Sequence, residues 1–197
     1  MDNNIFKPPQ ADLTPEKREE CEFYVVSLRK FLWLSILTMG LYYIYWFYKN
    51  WQNQMLKTGE KILPVMRGIF SVFFTFSLFQ RIAAKLEDKN KTYDWSVVGM
   101  AILFIVSTIL SSLIGQLSSG NDDNITFVML ISFGFLAATI YSVYKAQMAI
   151  NIACDDPNGD SNSEFSTANT VWLLIGGLFW LLTLLGMYVD SAGIAVG

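Results

Sequence analysis

Phe31–Trp51 reads FLWLSILTMGLYYIYWFYKNW, and the way this stretch is taken decides the architecture of the chain. Phe31 to Tyr48 carries no charge and is flanked by Arg29-Lys30 and Lys49. Its first half is aliphatic; its second half is crowded with Tyr42, Tyr43, Tyr45, Trp46, Tyr48 and, after Lys49-Asn50, Trp51. A run of this length can enter a bilayer core, and Tyr and Trp collect where that core meets water. Gly40 divides it. The aliphatic part, Phe31 to Met39, is about 13 Å of helix, less than half the hydrocarbon thickness. Either the helix continues through Gly40 and spans, or it turns there and re-enters; glycine permits the turn without requiring it.

Composition points the same way. Of 197 residues, 53% are hydrophobic and only 16% charged, with 15 Phe, 9 Tyr and 6 Trp. That balance indicates an integral membrane protein. A net charge of -3 gives no basic field for nucleic acid, which excludes that class of partner. The chain has no His, so the commonest proton shuttle and metal ligand are missing. Cys21 and Cys154 fit neither a disulfide framework nor a zinc spacing and read as unpaired thiols. No secretory signal is visible in the charged, Pro-containing start.

Residues 1–28 read as a soluble tail, with Thr14-Pro15 starting a short helix and Phe23–Val26 an apolar patch on the membrane surface. Residues 29–190 form the membrane domain, with hydrophobic segments at about 31–51, 62–80, 96–117, 125–144 and 170–189; residues 191–197 are a C-terminal tail. Segment 62–80 is the weakest. Gly68 to Gln80 is only about 20 Å long, and extending it back to Ile62 brings in Arg67, which at bilayer centre would cost roughly 2.5 to 3.5 kcal/mol. Arg67 and Arg81 bracket the segment and read as interface anchors. A faint echo between Gln80…Trp95-Ser-Val-Val-Gly99 and Gln147…Trp172-Leu-Leu-Ile-Gly176 favours this segment spanning. The short polar Ser118–Asn124 stretch, without Lys or Arg, reads as a hairpin turn, its sequon at Asn124 unused.

The expected fold is therefore all-α, a polytopic membrane bundle of four or five hydrophobic helices, the first two either broken or re-entrant. Five spans with the N-terminus inside place ten Lys and Arg in the cytoplasm against four outside; if both early segments re-enter, all 14 fall inside. The N-terminus is thus expected in the cytoplasm of a bacterial inner membrane, and the 145–170 loop with it.

On the third segment Ser107, Thr108, Ser111, Ser112, Gly115, Gln116, Ser118 and Ser119 share one face, and the next helix carries Gly134, Ala138 and Ser142. Small and hydroxyl residues at such spacing make a helix-packing seam; the alternative is a pore face. Asp156, Asn158, Asp160, Asn162 and Glu164 alternate like calcium ligands, but Gly159 is misplaced and no Glu closes the loop, so a solvated acidic loop is expected. No catalytic constellation, cofactor motif or metal cluster is proposed by the residues.

The run Thr38-x-Gly40-x-Tyr42-x-x-Tyr45-Trp46-x-Tyr48-Lys49-Asn50-Trp51 resembles the recurring motif of an uncharacterised family of small bacterial multi-pass inner-membrane proteins, a domain of unknown function. AQMAINIACDDPNGDSNSEFSTANTVWLLIGGLFW is similar to their C-terminal part. The resemblance implies the membrane location and no activity. The expected function is a non-catalytic envelope component binding a protein partner, or a second copy, through the aromatic motif; a small channel along the third segment's polar face is the alternative.

Overall fold

A computed structural model describes residues 21–118 and 125–192. The Thr14-Pro15 helix start, the turn within Ser118–Asn124 with its sequon, and the last residues of the C-terminal tail lie outside them. Seven α-helices follow in order: α1 Leu28–Leu37, α2 Tyr42–Thr58, α3 Pro64–Ile69, α4 Ser71–Asp88, α5 Val97–Ser118, α6 Ile125–Ala153 and α7 Thr167–Ser191, with one 3-10 turn at Asp160–Asn162. The all-helical expectation holds among the described residues. Three helices, not four or five, are long and apolar enough to cross a membrane: α5, α6 and α7.

The first two hydrophobic segments are hairpins. Ser27 caps α1, its Oγ accepting from the Lys30 N–H at 3.4 Å. After ten residues, about 15 Å, α1 stops. Thr38 Oγ1 donates to the Leu34 carbonyl at 2.7 Å and accepts from the Tyr42 N–H at 3.0 Å, tying the end of α1 to the start of α2. Gly40 takes φ +88, a left-handed conformation natural to glycine. Returning, α2 brings Asn50 and Gln54 back to Tyr24 and Glu22, beside the start of α1. The chain turns at Gly40 and runs back.

Segment 62–80 is not one helix of spanning length, whereas the Gln80/Gln147 echo favoured a span. Pro64 starts a six-residue helix, and at Phe70 (φ -96, ψ 38) the chain breaks into α4. Gly68 lets α3 lie against α2: a Cβ there would sit 2.8 Å from the Ile44 carbonyl oxygen. α4 then returns, placing Arg81 against Gln54 and Glu60, and Lys85 at 3.3 Å from Glu22. Both hairpins thus open at the same end of the molecule.

That end holds the core. Phe31, Trp46, Phe47, Trp51, Phe79 and Phe104 are fully buried there, between α1, α2, α4, the start of α5 and the end of α6. α6 extends nine residues beyond the expected 125–144, because Ala146, Ala149, Ile150 and Ala153 bury a face in this core. The opposite halves of α5 and α6 and nearly all of α7 present Ile, Leu, Val and Phe outward, as helices solvated by lipid do. α7 meets α1 where Gly176 packs on the Leu37 carbonyl and Trp180 Nε1 donates to Ile36 O at 2.8 Å.

Candidate functional site: a strap and the crevice beside it

Residues 22–27 run extended, without helix or strand partners. Phe23 and Val26 are buried, so this is no surface patch but a strap threaded between helices. Buried backbone must find partners, and side-chain amides supply them. Asn50 Oδ1 accepts from the Tyr24 N–H at 3.0 Å, and Gln54 Nε2 donates to the Glu22 carbonyl at 3.3 Å. Gln147 Nε2 donates to Tyr24 O at 3.2 Å, Asn151 Nδ2 to Val26 O at 2.9 Å, and Asn162 Nδ2 to Val25 O at 2.9 Å. Gln147 Oε1 also accepts from Trp46 Nε1 at 2.5 Å. Cys21 and Cys154, expected to be free, are disulfide-bonded with their Cα atoms 5.5 Å apart, pinning the head of the strap to the end of α6.

The 156–166 segment is not a loose acidic loop. Asp156 is buried and its two carboxylate oxygens accept from the Asp160 and Ser161 N–H groups, both at 2.9 Å. Gly159, at φ +68, lies hard against the Val26–Ser27 backbone. Among the described residues no group of three or more His, Cys, Asp or Glu comes together as a metal ion would require.

Between α1, the start of α2 and the start of α7 lies a cavity of about 590 Å³. Nearby, α7 meets α1 at the Gly176–Leu37 contact. Leu34, Thr38 and Leu41 line one wall; Phe165, Ala168 and Trp172 line the other. The mouth is polar, with Asn162, Glu164, Ser166 and Asn169. Lys30 is 4% exposed and donates to Asn162 Oδ1 and to the Glu164 carbonyl, both at 2.6 Å. Burial lowers its pKa, and the Glu164 carboxylate works against that shift. Tyr24 and Tyr45 meet edge to face at 5.9 Å, and Tyr42 packs on Tyr45 at 5.9 Å. The Tyr42 hydroxyl is buried and makes no hydrogen bond of good geometry among the described residues.

The motif residues therefore build this site from within. Thr38 and Gly40 make the turn, Tyr42 and Tyr45 line the crevice, Asn50 holds the strap, and Trp46 and Trp51 are fully buried. Tyr48 and Lys49 are half-buried neighbours on α2; Tyr45 is the one motif side chain that is exposed. Arg67 and Arg81 are not free anchors: their guanidinium carbons lie 4.2 and 5.4 Å from the Trp51 ring centroid, and Arg81 forks onto the Glu60 carboxylate at 3.0 and 2.9 Å.

The serine stripe divides. Ser107 Oγ and Thr139 Oγ1 are 2.8 Å apart, and Ser142 Oγ donates to Met100 O at 2.6 Å, closing the α5–α6 seam. Ala138 and Ser111 are half-buried, Thr108 Oγ1 is buried without a partner, and Ser112, Gly115 and Gly134 face outward. Where it is buried, the stripe packs α5 against α6. Lys30, Gln147, Asn151 and Asn162 were not singled out from sequence as site residues. Their signal was polar side chains at helical spacing in Gln147 and Asn151, at the end of an apolar helix.

No protein-family model, curated protein or solved structure matches the chain.

Proposed function

We propose that this is a non-catalytic inner-membrane protein that binds an amphipathic molecule from the bilayer in the crevice between α1, α2 and α7. The crevice carries this reading: apolar walls continuous with lipid-facing helices lead up to a polar mouth containing one buried cation. Such a graded cavity, within the size range of small-molecule sites, suits a molecule with a greasy and a polar end. The buried motif supports the reading by shaping the pocket, which leaves little of it for docking a protein partner.

In this reading α5, α6 and α7 cross the bilayer while α1–α2 and α3–α4 re-enter. Every Lys and Arg among the described residues then stands on the side where the hairpins open, Arg67 lying furthest in over Trp51. The positive-inside bias supports a cytoplasmic location for that side and for the N-terminus. Cytoplasmic thiols are kept reduced, so in this reading Cys21 and Cys154, which the fold holds 5.5 Å apart at their Cα atoms, are a thiol pair in the cell.

A phospholipid bearing a photoactivatable group in its acyl chain tests the binding reading. Labelling concentrated on residues 34–45 and 164–172, and abolished by Ala168→Trp, is expected. Labelling spread evenly over the outer face of α7 would overturn it.

A further inference from the structure

We propose that the crevice selects a phospholipid whose headgroup carries both a phosphate and a terminal primary ammonium, a phosphoethanolamine type. This rests on the reading of the crevice as an amphiphile site. Among the described residues Lys30 is the one cation in the lining and Glu164 the one carboxylate. They differ in placement: Lys30 is 4% exposed, whereas Glu164 is exposed at the rim. In a phospholipid the phosphate lies nearer the acyl chains and the ammonium nearer water, which is the order in which these two charges stand.

Donors are available for the phosphate. An ammonium has three N–H groups, and Lys30 uses two on Asn162 Oδ1 and the Glu164 carbonyl. The Tyr42 hydroxyl, 6% exposed, lines the same cavity beside the Tyr24 phenol and makes no hydrogen bond of good geometry among the described residues. A buried hydroxyl and an unfilled cation donor facing one space fit an anionic oxygen, since each is costly to leave unmatched. From Lys30 to Thr38 the crevice wall is about 12 Å long, enough for a headgroup, glycerol and the first methylenes. The chains would leave past Leu41 and Trp172, 58% and 53% exposed.

The same residues disfavour the alternatives. A phosphoglycerol headgroup brings no positive charge to Glu164 and leaves the two anions close. A choline headgroup brings the charge but no N–H to donate.

The test uses the full chain in nanodiscs containing equal parts of phosphoethanolamine, phosphoglycerol and phosphocholine lipids with identical acyl chains. Native mass spectrometry then reads the lipid retained on release. Phosphoethanolamine lipid is expected to be enriched about tenfold over the other two, the scale of one charge-assisted hydrogen bond. Glu164→Gln should remove that preference while phospholipid retention persists. Lys30→Gln should lower retention of all three, and Ala168→Trp should do so by filling the crevice without touching a charge; a thermal melt checks that both variants fold. Equal retention of the three headgroups, unaffected by Glu164→Gln but lost in Ala168→Trp, overturns the headgroup inference and leaves the amphiphile reading standing. No retained lipid in the wild-type chain, or retention unchanged in Ala168→Trp, overturns both.

Discussion

The α1–α2 hairpin turns through Thr38 and Gly40, whereas the α3–α4 hairpin turns at Phe70 with neither a glycine nor a side-chain cap. The first turn is held locally, by a hydroxyl that bonds both helices and by a left-handed glycine. The second is held from outside. Gly68 lets α3 press onto the α2 backbone, and Arg67 packs on Trp51 and Phe74 at 4.2 and 5.0 Å. A turn that carries its own chemistry leaves a motif in the sequence. A turn imposed by its neighbours leaves almost none.

Substitutions can break or sharpen this contrast. Gly40→Val has the largest expected effect: it forces a β-branched residue to φ +88 and places its Cβ 3.0 Å from the Tyr43 ring and 3.2 Å from Leu136. A loss of about 2 to 4 kcal/mol is expected in denaturant titration in micelles. Phe70→Ala, at the other turn, needs no special backbone and should cost less than about 1 kcal/mol at an exposed site. Equal losses at the two turns would erase the distinction. Gly68→Ala should cost about 1 to 3 kcal/mol, because its obstacle is the Ile44 main-chain carbonyl, which cannot swing away. Thr38→Val removes both hydroxyl bonds at constant shape, for about 1 to 2 kcal/mol.

The smallest expected effect is electrostatic. Hydrogen bonding from Arg81 lowers the pKa of Glu60, at the open end of the second hairpin. A carboxylate whose folded pKa is lowered contributes stability above its unfolded value and loses it as pH falls through the folded one. Acid should therefore weaken the wild type slightly more than Glu60→Gln, which keeps carboxylates such as Asp155 that are also lowered; a pH series of melting temperatures reads the difference. At a site this exposed, high salt should shrink it further.

Much of this was legible. The three helices long and apolar enough to cross a membrane were plain from uncharged length alone, and the choice at Gly40 was posed because a helix of nine aliphatic residues is too short to span. The break in segment 62–80 was not legible because it falls at Phe70, a residue with no turn signal, and because nothing local announces the packing of Arg67 on Trp51. The strap was missed for a related reason. An extended, buried Phe23–Val26 depends on amides from Asn50, Gln54, Gln147, Asn151 and Asn162, as far as 137 residues away, and no local pattern announces such a set. The crevice likewise depends on residues far apart in sequence, Tyr24–Tyr45 on one side and Asn162–Trp172 on the other.

Re-entry of both hairpins is the central claim, and residues 57 to 61 test it most directly. Single cysteines at Lys57, Lys61 and Asn158, introduced with Cys21 and Cys154 replaced by Ala, can be labelled by a membrane-impermeant maleimide in spheroplasts and in inverted vesicles. All three should react only in inverted vesicles, on the cytoplasmic side. Labelling of Lys57→Cys and Lys61→Cys from the side opposite to Asn158→Cys would mean that the first segment crosses the bilayer, and would contradict the account.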